Sequence, residues 1–219
     1  VNSPLVIDYY SDILCVWAWI AQRRIEELRQ EWGERIELRH HYLDVFGDTA
    51  TKMSQQWQDR GGYNGFGQHV IESAAPYENA IVNTEIWRDA RPATSANAHL
   101  ILKAADLAYS PEESAAFALS LRRGFFIDNM DIGLLSVLMS LADGAGLDVD
   151  RLNNYIENGQ AMAALLKDYQ AAQKLALKGS PVWVMNSGRQ TLFGNVGFRI
   201  LNANIREILD HPASEVSWC

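Results

Sequence analysis

Chemistry at neutral pH needs a nucleophile or a proton carrier. This chain has two cysteines, Cys15 and Cys219, and five histidines. Cys15 lies in Asp12-Ile13-Leu14-Cys15-Val16-Trp17-Ala18-Trp19, where the residue pattern changes period. Upstream, Leu5 to Tyr10 is an apolar, β-branched and aromatic run, the mark of a buried strand. Ser11 and Asp12 break it with turn and cap chemistry. Downstream, Trp17, Ile20, Ala21, Ile25, Leu28 and Trp32 recur at helical spacing, and Gly33 supplies a stop. A cysteine at a strand-to-helix junction meets the unpaired N–H groups and partial positive charge of the first helical turn. Such a place stabilises a thiolate and predicts a thiol pKa below about 8.5. The alternative is a small buried apolar residue, and position alone leaves both open.

The other candidates are weaker. His40 and His41 are neighbours on an alternating segment, so they point to opposite faces and do not address one metal together. Gly61-Gly62-Tyr63-Asn64-Gly65-Phe66-Gly67 follows no strand, so it reads as a flexible break rather than a phosphate cradle. Trp57, Tyr63 and Phe66 gather here, either packed under a loop or lining a ligand cleft. The two cysteines stand near opposite ends, lack metal-ligand spacing and allow at most one bridge. Cys219 reads as a terminal thiol, with resolution of Cys15 as its one functional alternative.

The balance of charge excludes some partners. A formal net charge of −8, spread along the helices, argues against nucleic acid and anionic membrane surfaces. No apolar run approaches the roughly 18 residues of a membrane span, and no basic segment followed by an apolar one opens the chain. The sparse cysteines fit a reducing, cytoplasmic setting. With 219 residues, 48% of them hydrophobic, the chain can fill one large core or a core with an inserted lobe.

The elements that would position Cys15 follow in order. Strand one at 4–10, a helix at roughly 15–32 and an alternating strand at 35–43 make a βαβ unit. From about 46 to 160 the chain reads as helical, with helices at 94–109, from Ser110-Pro111-Glu112-Glu113 to Phe126, at 132–142 and after Asp148. These short, amphipathic pieces suggest a compact helical lobe. A last lobe helix at 160–177 is ended by Gly179. Ser180-Pro181-Val182-Trp183-Val184-Met185 is a strand with proline at its start, Asn186-Ser187-Gly188 a hairpin turn and Gln190 to Gly194 the returning strand. A helix at 198–209 closes the chain.

The order β, α, β, helical insertion, α, β, β, α is that of an α/β thioredoxin-like fold: a central mixed sheet flanked by helices, with an all-helical insertion. The expected division is 1–46 with 167–219 as the thioredoxin-like domain and 47–166 as the insertion. The chain resembles the DsbA-like branch of the thioredoxin superfamily over nearly its whole length. Within that branch it is similar to FrnE-type oxidoreductases, kappa-class glutathione transferases and hydroxychromene-carboxylate isomerases. Four segments carry the likeness: Asp12 to Trp19; Thr94, Ala98 and His99; Phe126 to Gly133; and Gly179-Ser180-Pro181-Val182-Trp183-Val184.

The resemblance implies that Pro181 follows a cis bond, and that the Ser180 backbone pairs with an extended thiol peptide beside Cys15. It implies thiol–disulfide exchange with Cys15 as nucleophile and Val16, Trp17, Ser180 and Pro181 as substrate contacts. Phe193-Gly194-Asn195 is similar to the kappa-class segment that holds the γ-glutamyl end of glutathione, which adds Gly194 and Asn195. Ala18 stands where the relatives' second cysteine would be, and Val16 replaces the motif proline. A single-thiol oxidoreductase is therefore expected, with no tightly bound cofactor or metal and glutathione as co-substrate. A glutathione-dependent isomerase or transferase of a small hydrophobic molecule is the runner-up, and a non-catalytic peptide-binding module the third reading. The expected partners are a thiol or disulfide peptide or protein, or that small molecule; kappa-class likeness implies a homodimer.

Overall fold

The computed structural model describes residues 3–212, so Cys219 lies outside the described residues. Strand β1 (Leu5–Ser11) is central. It pairs in parallel with β2 (Ile36–Tyr42) and antiparallel with β3 (Val182–Met185), which carries β4 (Gln190–Phe193) antiparallel on its far side. The sheet order is β2-β1-β3-β4, the expected mixed sheet. Because β1 has neighbours on both edges and cover on both faces, it is largely apolar up to Tyr10, with the half-buried Asp8 as its one charged residue. On one face Ile7 and Tyr9 pack with Trp183 and Met185 beneath helices that supply Ile25, Leu28, Leu201 and Ile205. On the other, Tyr10, Val182 and Val184 meet Leu43 and Ala172.

The helix after Cys15 is not continuous. It is two pieces, α1 (Val16–Ile20) and α2 (Gln22–Trp32), with a kink at Ala21. The cause is local: the Arg24 N–H bonds to Ala21 O at 2.9 Å, while the Arg24 guanidinium takes the Ile20 carbonyl at 3.0 Å. A side chain has displaced a rung of the helical ladder.

The insertion holds α3 (Thr49–Gln56), α4 (Gly62–Ala74), α5 (Ala96–Ala108), α6 (Pro111–Phe126), α7 (Leu135–Gly144), α8 (Val149–Glu157) and α9 (Gln160–Lys174). The caps behave as the residue types dictate. Asp48 and Asp148 accept from the third residue of α3 and α8, and Ser110 with Glu113 forms a capping box on α6. Helix α10 (Phe198–Asp210) closes the chain.

Four further expectations need correction. Gly61 to Gly67 is not a flexible break: α4 begins at Gly62 and runs through it. A Cβ at Gly65 would overlap the Arg60 carbonyl oxygen and one at Gly67 the Ile86 carbonyl oxygen, so these glycines serve close packing. The stretch from 75 to 95 is turns and loop, not helix. Helix α9 stops at Lys174, before Gly179, and α7 starts at Leu135 rather than Ile132.

The lobe and the Cys15 junction share one core. Cys15, Val16, Ala18, Trp19 and Ile20 are buried with Phe46, Phe66, Trp87, Leu102 and Phe126. Trp19 stacks on Phe126 at 5.6 Å, and its indole N–H donates to Ile81 O at 3.1 Å. Helix α1 is thus a plug pressed into the lobe, and this placement governs the chemistry of the residue before it.

Candidate functional site

The site grows out of the turn that ends β1. Asp12 is fully buried and ties three segments together. Its Oδ1 accepts from Leu14 N–H at 2.9 Å, and its Oδ2 accepts from Phe46 N–H and from the Ser95 hydroxyl, each at 2.8 Å. Its own N–H donates to Ser180 Oγ at 2.9 Å. Burial pushes the Asp12 carboxyl up to about 6, against these donors and the nearby Arg122, which favour the anion. Next along the turn, Ile13 N–H donates to His99 Nε2 at 3.1 Å. That fixes the His99 proton on Nδ1, which faces the Tyr169 hydroxyl at 3.1 Å. Burial holds His99 near 3, a neutral ring used as a brace.

The braced turn presents Cys15 as the N-cap residue of α1, with its N–H bonded to Asp12 O at 3.1 Å. The Cys15 S–H donates to the Ser180 carbonyl at 3.2 Å, across 165 residues of chain. The Ser180–Pro181 peptide is cis, as the resemblance implied. Pro181 O accepts from Gly194 N–H at 2.8 Å, so β4 braces the proline from behind. Asn195 directs its amide to the Tyr77 hydroxyl at 2.7 Å.

A cleft of about 210 Å³ opens at Cys15. Cys15, Val16, Trp17 and Ser180 line it from the turn and the proline strand. Val45, Phe46, Lys52, Trp57, Phe66 and His69 complete the lining. The structure therefore brings Cys15, Val16, Trp17 and Ser180 together, with Pro181 next in the chain. Gly194 and Asn195 are not among the residues lining this cleft. Sequence reasoning gave Asp12 turn chemistry and set His99 in a matched segment without assigning either to the site, and it placed none of Ser95, Lys52 and His69 there. The acid three residues before Cys15 was the one readable signal; the rest depends on how the lobe folds back.

The expected fall in thiol pKa is reversed. Burial pushes the Cys15 thiol up and Asp12 adds to the rise, outweighing hydrogen bonds from the Ser180 side chain and the Ala18 and Trp17 N–H groups. Cys15 is only 6% exposed, and α1 has five residues, too few to build a large dipole. At rest the sulfur is a protonated hydrogen-bond donor. His41, on the opposite face from His40 as expected, sits between Asp168 at 2.8 Å and Asp8 at 2.9 Å. Burial alone would lower its pKa, but the two carboxylates together lift it to about 9. His40 is pushed down to about 3 by burial, and its Nε2 has no partner among the described residues.

A thiol at a strand-to-helix turn, facing a cis proline strand, with a helical insertion above, is a specific arrangement. The model for the DSBA-like thioredoxin domain matches residues 6–206. The chain belongs to the DSBA-like thioredoxin domain family. Its DSBA-like domain is 25% identical over 188 residues to the ClpXP adapter protein SpxH of Halalkalibacterium halodurans, a match covering 84% of this chain and 59% of that protein. The chain therefore spans less than two thirds of that curated relative's length. Among solved structures, a probable DsbA oxidoreductase from Streptomyces coelicolor superposes with a TM-score of 0.75 at 19% identity, covering 98% of this chain and 94% of the other. The cytosolic disulfide reductase DsbM from Pseudomonas aeruginosa, with GSH, gives 0.64 at 16% identity over 95% and 98%. At such identities the likeness establishes the fold of the DSBA-like domain. No helix among the described residues is long and apolar enough to cross a membrane, and no cluster of three or more potential metal ligands occurs among them.

Proposed function

We propose that the chain performs thiol–disulfide exchange through the single sulfur of Cys15, capturing a disulfide-bearing peptide or protein as a mixed disulfide. The observation that carries this is the Cys15 S–H held 3.2 Å from the Ser180 carbonyl at the mouth of an open cleft. An extended segment docking along Ser180 would compete for that carbonyl and release the thiol. Cys15 Sγ, after losing its proton to solvent, attacks one substrate sulfur. The new S–S bond forms as the old one breaks, and the second substrate sulfur leaves as a thiolate. Ala18 supplies no thiol for the return step within the turn, so a thiol from elsewhere has to attack the mixed disulfide to free Cys15, and glutathione is the one this reading assigns. A thiol whose pKa is raised is also a poor leaving group, so the captured state persists. A reducing, cytoplasmic setting suits this dependence on an external thiol.

Intact-mass measurement tests the reading. On Cys219→Ser protein, incubation with a disulfide peptide should add one peptide half at Cys15, reduced glutathione should remove it, and Cys15→Ser in the same background should abolish it. No adduct at pH 9, under conditions where the unfolded chain reacts, rules the reading out. A second reading is docking without covalent chemistry. The missing second cysteine and the likeness to a protein named as an adapter favour it. Under that reading Cys15→Ser keeps full affinity for a protein partner and no adduct forms.

A further inference from the structure

The rest of the cleft lining has a chemical character of its own. Trp57 meets Phe66 edge-on with ring centroids 4.8 Å apart, and Trp57 lies 5.1 Å from the His69 ring. Lys52 Nζ sits 5.1 Å from the Phe46 ring centroid and donates to Gln56 Oε1 at 3.3 Å. No Asp or Glu lines the cleft. Asp44 and Asp48 line a neighbouring cleft that Lys52 also borders, and no ion pair joins either to Lys52 among the described residues. The space beside the sulfur therefore has room for one ring, walled by aromatic faces and edged by an ammonium group without a carboxylate partner. Dispersion and ring-edge contacts favour an aromatic guest there, and the ammonium favours an anion on that guest.

We infer that this cleft selects the substrate: Cys15 exchanges fastest with disulfides that carry an aromatic group and a carboxylate next to the reacting sulfur. The inference rests on the exchange reading given above. In a peptide, the matching segment is a cysteine flanked by an aromatic and an acidic residue. The bond change is the same exchange: Cys15 Sγ bonds one substrate sulfur as the substrate S–S bond breaks, and the other sulfur leaves as a thiolate, an arenethiolate from an aryl disulfide and a cysteine thiolate from a peptide.

Four small disulfides separate the two properties. Dithiobis(nitrobenzoate) is aromatic and anionic, dithiodipyridine aromatic without the carboxylate, oxidised glutathione anionic without the ring, and cystamine neither. Each rate is measured on folded Cys219→Ser protein and divided by the rate on the same chain unfolded in urea, which removes intrinsic reactivity. The nitrobenzoate reagent should show the highest ratio. Lys52→Gln should lower that ratio about fivefold, the size expected of a half-exposed ion pair, and leave dithiodipyridine unchanged. Trp57→Ala should lower both aromatic reagents and spare cystamine, with an unchanged urea midpoint confirming that the variant folds. Equal ratios for all four reagents, or a Lys52→Gln loss shared by cystamine, overturn the selection while leaving exchange intact. Failure of every reagent to modify folded Cys15 overturns the exchange reading itself, and the selection with it.

Discussion

The protonated state of Cys15 has a measurable consequence. An ordinary thiol with a pKa of about 8.5 is about 3% thiolate at pH 7. Burial raises Cys15 above the ordinary value, so its reactive fraction at pH 7 is smaller, and each further unit removes another factor of ten. Alkylation by iodoacetamide, followed at Cys15 by peptide mass spectrometry from pH 6 to 10, should climb about tenfold per pH unit through pH 8 without levelling. The same chain unfolded in urea should level near the ordinary value. The midpoint, not the absolute rate, is the quantity to compare, because burial also slows the approach of the reagent. Ser180→Ala removes the side-chain hydrogen bond that favours the thiolate, so the profile should move to still higher pH. A plateau below pH 8 in the folded protein, or a Ser180→Ala profile displaced downward, refutes the argument that burial outweighs the donors around the sulfur.

Three other outcomes follow from the same geometry. His41 has a folded pKa near 9 against 6.5, so it adds stability in full below about pH 6.5 and loses it as pH rises through 9. The shift corresponds to about 3 kcal/mol, read from urea midpoints between pH 6 and 10; His41→Gln should flatten that slope, and a slope unchanged by the substitution contradicts the assignment. Gly67→Ala forces a methyl onto the Ile86 carbonyl and should cost about 1–3 kcal/mol in the same assay, whereas an unmoved midpoint would mean the loop yields freely. Ala18→Cys restores a second thiol one helical turn from Cys15 and should confer insulin-reducing activity; an inactive but folded variant counts against the oxidoreductase reading.

The fold was legible where one residue type has one use. The β-branched run of β1, the Ser110-Pro111-Glu112-Glu113 start of α6 and the Asp148 cap each specify their element locally, and each appears where the pattern put it. Glycine was misread because its two uses look alike in sequence. Gly67 permits contact with a backbone 19 residues away, and nothing near it in the chain announces that neighbour. The kink at Ala21 was equally hidden, since it depends on Arg24 turning back to the Ile20 carbonyl rather than reaching solvent. In the candidate site, Cys15, Val16, Trp17 and Ser180 were readable from local motifs. Lys52, Trp57, Phe66 and His69 face them only because α3 and α4 fold across the end of β1.

The reversed thiol pKa shows which physical effect decides at such a junction. At the level of sequence a helix terminus that favours the thiolate stood against burial as a small apolar residue, and position left both open. The structure changes both sides of the comparison. Helix α1 ends after five residues, which shrinks the favourable field, while Val16, Ala18, Trp19 and Ile20 lock it into the lobe core and draw Cys15 in with them. The same hydrophobic plug that positions the sulfur against Ser180 therefore suppresses its ionisation. Reactivity then has to come from the guest. A segment that takes over the Ser180 carbonyl removes the acceptor that stabilises the S–H, and its arrival at the cleft supplies the disulfide in the same event. Under the proposed exchange the thiol is inert toward solvent oxidants and reactive toward what docks, which is the behaviour such a site needs when its own turn carries Ala18 rather than a second thiol to undo a wrong capture.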